Sequence, residues 1–132
     1  MVMRITAVVL MGSLYFFSCG KHEKEEEEHI LVTASMVITS PLQNSVYYLG
    51  DTVRIQGSAV GTGVLHGYDI MIRRVSDGAQ QYFQHIHDHN DTLAISDWWK
   101  NSFSGVELEV EVKVTLDHHG NTQSAKVRFQ TQ

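Results

Sequence analysis

Six of the eight histidines in this 132-residue chain fall in three short segments. They are His66 alone, His85-Ile86-His87-Asp88-His89, and Asp117-His118-His119-Gly120-Asn121. Imidazole is the commonest protein ligand for zinc, copper and nickel, and a set without thiolates suits zinc or copper(II). Spacing decides which of the six could share one ion. Two residues apart on a strand, Cα atoms lie about 6.6 Å apart and side chains leave from the same face. His85 and His87 are therefore the expected chelating pair. His85 and His89 would stand about 13 Å apart on an extended chain, and could share an ion only if the chain turned between them.

The segments that must position these residues begin after an N-terminal leader. Residues 1–18 carry one early cation, Arg4, then an apolar run from Ile5 to Phe17 broken only by Thr6, Gly12 and Ser13. That run is short for a transmembrane helix and ends at a small residue, so it reads as a secretory signal. The chain's one cysteine, Cys19, follows at once and cannot form an internal disulfide. The segment Phe16-Phe17-Ser18-Cys19 resembles a lipobox, which implies lipidation of Cys19 and a membrane anchor. Residues 19–29 are charged, with glutamate at every position from 25 to 28, and are expected to form a solvated tether. A Lys followed by acidic residues after the lipidated Cys resembles the export signal of Bacteroidetes surface lipoproteins. It implies an outer-membrane lipoprotein, displayed on the cell surface.

Residues 30–132 hold about one hundred residues, enough for one domain with one core. Within them seven Lys and Arg stand against ten Asp and Glu, so no basic patch remains and nucleic acid is an unfavoured partner. No helical period is sustained. Instead, short alternating runs rich in Val, Ile, Tyr and Thr recur between turn signals, the pattern of an all-β sandwich. The expected strands are 31–39, 52–60, 66–75, 80–87, 92–98, 107–116 and 124–130. The sixth is the clearest, with Leu108, Val110, Val112, Val114 and Leu116 alternating with Glu107, Glu109, Glu111, Lys113 and Thr115. In the seventh, Ala125, Val127 and Phe129 are expected to face inward.

Antiparallel succession puts the loops after the second, fourth and sixth strands at one pole. His66, the His85 to His89 segment and the His118-His119 turn all fall in those loops. Strand parity carried on from Leu116 selects His118 and turns His119 outward, and it sets His66 on the face of Tyr68 and Ile70. The expected ligand set is thus His66, His85, His87 and His118, with His119 and His89 as substitutes. Asp88, Asp91 and Asp117 could orient the imidazoles or replace one of them. His22 and His29 belong to the tether.

Seven strands without a cysteine pair, Ser40-Pro41, the Gly50 to Ile55 opening and the Asp117 to Asn121 turn resemble the immunoglobulin-like or fibronectin III-like modules of bacterial surface proteins. The placing of the histidines is similar to that in a family of His-rich, Ig-like Bacteroidetes surface lipoproteins whose domain has no assigned function. Such likeness implies the fold and says little of the activity. No nucleophile elbow, phosphate loop or convergent carboxylate pair is legible, so a non-enzymatic module is expected. Two functions compete. The first is a lipid-anchored module that binds zinc or copper and exchanges it with an outer-membrane transporter or other surface partner. The second is an adhesion or glycan-assembly accessory module with incidental histidines. The pairs Trp98-Trp99 and Tyr47-Tyr48 could serve the second, and on an alternating strand one Trp of its pair is expected to face the core and the other solvent.

Overall fold

A computed structural model describes residues 31–132. The expected signal segment, Cys19 and the acidic tether lie outside the described residues.

Alternation of apolar and polar side chains gives each strand one face to bury, and two sheets stacked face to face satisfy all of them. The strands are β1 (Ala34–Ser40), β2 (Val46–Tyr47), β3 (Thr52–Leu65), β4 (Tyr68–Arg74), β5 (Gln80–Ile86), β6 (Asn90–Lys100), β7 (Glu107–Thr115) and β8 (Thr122–Thr131). One sheet runs β1-β3-β6 and the other β2-β8-β7-β4-β5. All neighbours are antiparallel except β2 and β8. The protein is an immunoglobulin-like β-sandwich, with eight strands where the alternation predicts seven.

Between the sheets, Val53, Ile55 and Ala59 of β3 and Leu93 and Ile95 of β6 form one side of the core. Ile70 and Ile72 of β4, the alternating Leu108, Val110, Val112 and Val114 of β7, and Phe129 of β8 form the other. Val127 is only half-buried. Parity is right at the tryptophans: Trp99 packs against the core and stacks on Phe103, while Trp98 is 64% exposed. At the tyrosines, Tyr47 meets Phe129 edge-on and Tyr48 is exposed.

The strands depart from expectation by one. The extra strand, β2, is two residues that borrow the end of β8 in parallel, too short to leave an alternating signature. The place where the chain changes sheets matters for the site. The Asp77-Gly78 turn is tight, with Arg74 accepting from Gly78 N–H and donating to Ala79, so β5 returns alongside β4 in the same sheet. The chain crosses to the other sheet only afterwards, through residues 87–89. That crossover carries two of the histidines.

Candidate metal centre

Register fixes the pole. Tyr68, the first residue of β4, pairs with Ile86 at the end of β5 and with Val114 near the end of β7. Leu65, the last residue of β3, pairs with Asn90, the first of β6. The 66–67 linker, the 87–89 crossover and the 116–121 hairpin therefore meet at one end of the sandwich, as the antiparallel succession predicts. Backbone bonds pin the linker to β7. His66 N–H donates to Thr115 O at 2.8 Å, and Thr115 N–H donates to Gly67 O at 3.0 Å.

Gly67 lets the crossover lie directly on this linker. Its φ is +100°, a conformation that L residues with a Cβ rarely adopt. A Cβ there would run into the Ile86 carbonyl oxygen and come within 3.1 Å of His87 Cα. The positive φ also breaks the parity that the sequence reading carried from His66 to Tyr68, so His66 turns to the pole rather than continuing the core face of β4.

Four imidazoles gather there. The rings of His66 and His118 have centroids 4.0 Å apart, those of His66 and His89 4.8 Å, and those of His87 and His89 4.5 Å. His89 and His118 are 6.4 Å apart. His87 Nε2 and His89 Nε2 are 2.8 Å apart, so one ring donates a proton and the other accepts. His66 is half-buried, and its Nδ1 is shielded from solvent without a hydrogen-bond partner among the described residues. Desolvation pushes the His66 pKa below its ordinary value, and the neighbouring His118 and His89 push it further down. Asp117 opposes them.

Among the four expected ligands, the structure brings together His66, His87 and His118. The fourth ring in the group is His89, not His85. Strand alternation ends at Ile86, and the crossover then bends so that His87 and His89 face each other. His85 remains on β5 on the outer face of the sheet, opposite Asp69, with Nδ1 2.6 Å from Asp69 Oδ1. Its ring centroid is 6.5 Å from that of His87. His119 lies exposed in the hairpin, where its backbone N–H donates to Asp117 Oδ1. The same carboxylate caps Asn121, whose side-chain amide is the first cause holding the Asp117 pKa below the usual carboxylate range. Asp88 accepts from the Asn90 side chain. These aspartates organise the loops around the rings.

The geometry is close to, but not at, that of a bound ion. Two nitrogens each about 2.0–2.1 Å from a tetrahedral zinc sit about 3.3 Å apart, and their ring centroids about 5 Å apart. The His87–His89 nitrogen separation of 2.8 Å is somewhat short of this, and the quartet's centroid separations of 4.0–6.4 Å straddle it. Among the described residues, no group of three or more His, Cys, Asp or Glu side chains is already arranged to hold a metal ion. Side-chain rotation would have to bring the nitrogens to one point.

Neither a protein-family model nor a curated protein matches the sequence. Among solved structures, the chain is similar to the CARDB domain of a Pyrococcus furiosus protein, crystallised in complex with di-metal ions. The identity is 8% and the TM-score 0.43, over 76% of this chain and 94% of that one.

Proposed function

We propose that the protein is a lipid-anchored immunoglobulin-like module that binds one zinc or copper(II) ion through His66, His87, His89 and His118. The observation that carries this reading is the convergence of four imidazoles from three loops at one pole, one of them with a buried ring nitrogen that no described residue satisfies. A buried polar atom without a partner costs about 1–3 kcal/mol, and coordination would remove that cost. Imidazole must be neutral to coordinate, and the environment of His66 favours its neutral form. The proton held between His87 and His89 would shift, by exchange with water, to the far nitrogen of its ring as the ion takes its place. On this reading, rotation of the four side chains brings their nitrogens to one point.

The reaction of such a module is ligand exchange, not chemistry on a substrate. The reading is non-enzymatic, with a membrane transporter or surface partner as the giver or taker of metal. Lipidation at Cys19 would hold the domain at the outer membrane. A second reading, an adhesion or glycan-assembly accessory module, draws on Trp98 and Tyr48, exposed toward the pole opposite the histidines.

Thermal unfolding with and without metal tests the first reading. A ligand bound only to the native state at 100 times its Kd adds about 2.7 kcal/mol, or roughly 10–20 °C for a domain of this size. Zinc or copper should raise the melting temperature and magnesium should not. Replacing His87 and His89 together with Ala should remove the shift. Equal response to all three metals, or none, would leave the second reading in place.

A further inference from the structure

His85 is the one histidine of the central segment that the quartet leaves out, yet it is the most deliberately held. Its ring lies on the outer face of β5, with the side chain 55% exposed. Across the strand pair it meets Asp69, whose other oxygen is 3.5 Å from Lys113 Nζ. A carboxylate can only accept, so His85 Nδ1 carries the proton of the 2.6 Å bond. In the neutral ring that leaves the Nε2 lone pair pointed away from Asp69 and unused by any described residue. A carboxylate fixing one imidazole nitrogen while the other is offered outward is how proteins commonly orient a metal-ligating histidine.

The next ring along the face is His87, at 6.5 Å between centroids, and the two side chains differ by two positions. Their rings are separated by little more than the about 5 Å expected of two imidazoles on one ion. Aspartates crowd this end of the molecule. Asp69, Asp88, Asp91 and Asp117 lie at or beside the three loops, with Lys113 beside Asp69. Such a field draws cations inward and raises their encounter rate.

Resting on the four-histidine reading above, we infer that His85, held by Asp69, is a capture ligand: with His87 it takes a hydrated zinc or copper ion from solvent and passes it to the quartet. The ion would lose waters to His85 Nε2 and to one nitrogen of His87. It would keep its bond to His87 while His89, His66 and His118 replace His85 and the remaining waters. No electron moves; a proton on a nitrogen that coordinates shifts by exchange with water to the far nitrogen of its ring, and a proton is released only from a ring that was cationic. A residue that binds only in transit alters both directions alike, so it changes rates and leaves the equilibrium constant alone.

Stopped-flow transfer of zinc between a chromophoric chelator and the protein reads both rates, and titration reads the affinity. The His85→Ala variant should slow uptake and release together, on the order of tenfold, within the range on-rates span among variants of one site. Its affinity should stay within about twofold of wild type. Asp69→Asn, which keeps an acceptor and loses the charge, should fall between. Because His85 is exposed, an unchanged melting temperature without metal will show that the variant is folded. Unchanged rates in His85→Ala would overturn the capture role alone. A large loss of affinity would also overturn it, by making His85 a resident ligand. No zinc uptake by wild type would overturn the four-histidine reading and this inference with it.

Discussion

Replacing Gly67 with Ala should damage the fold and the histidine site at once. Two costs add. Holding a non-glycine residue at φ +100° costs about 1–3 kcal/mol. The new methyl would press on the backbone of Ile86 and His87, which cannot rotate away, and overpacking of this kind costs a further 1–3 kcal/mol or so. Gly78 separates the two. Its φ is +70°, and a Cβ there meets nothing within 4 Å, so Gly78→Ala carries only the backbone cost. Urea and thermal denaturation followed by circular dichroism would compare both variants with wild type. Gly67→Ala should lose about 2–6 kcal/mol in all, and exceed Gly78→Ala by about 1–3 kcal/mol. For a domain of about one hundred residues, that excess is at least roughly 4 °C in Tm. Because the methyl pushes the crossover off the linker, the zinc-dependent rise in Tm should shrink as well. Equal destabilisation of the two variants would refute the claim that close backbone approach at Gly67 assembles the pole.

Three further outcomes follow from other parts of the molecule. At the opposite pole, Asn101 is 1% exposed, and its side chain donates to Tyr48 O and Phe103 O and accepts from Phe103 N–H. Asn101→Ala should cost about 2–4 kcal/mol in urea unfolding, and a loss below about 0.5 kcal/mol would contradict that accounting. The His66 pKa is lowered in the folded state, so the unfolded chain binds the proton first. Metal-free stability is then full above pH 6.5 and falls as pH drops from there toward the lowered folded value, with a shallower slope in His66→Gln. Identical slopes between pH 6.5 and 5 would oppose this, and the depressed carboxylates such as Glu109 and Asp117 contribute only in a lower window. Finally, Cys19→Ala should shift the protein from the membrane fraction to the soluble one, and unchanged retention would end the lipoprotein proposal.

Much of the sandwich is legible because alternation reports directly on which face is buried. The Leu108 to Val114 series is the plainest case, and the split of Trp98 from Trp99 follows from the same rule. The shared pole of His66, His87 and His118 follows from antiparallel succession alone. Alternation holds only while a strand lasts, however. It ends at Ile86, which is why the sequence favours His85 beside His87 where the structure sets His89 against it. Gly67 is visible as a glycine, but its positive φ, which cancels the parity between His66 and Tyr68, is a property of the packed crossover. The Asp69–His85 pair needs the β4–β5 register, and that register depends on β5 staying in the sheet of β4.

Calorimetric titration of the metal-free protein with zinc near pH 7.5 tests the central claim most directly. Binding of about one ion per chain is expected, since one pole offers one point of convergence for a four-nitrogen set. The same titration of the His87→Ala/His89→Ala double variant should show no binding, while His85→Ala should retain the full stoichiometry. Absence of heat in the wild type, or a double variant that binds as wild type does, would contradict the assignment of His66, His87, His89 and His118 as a metal site.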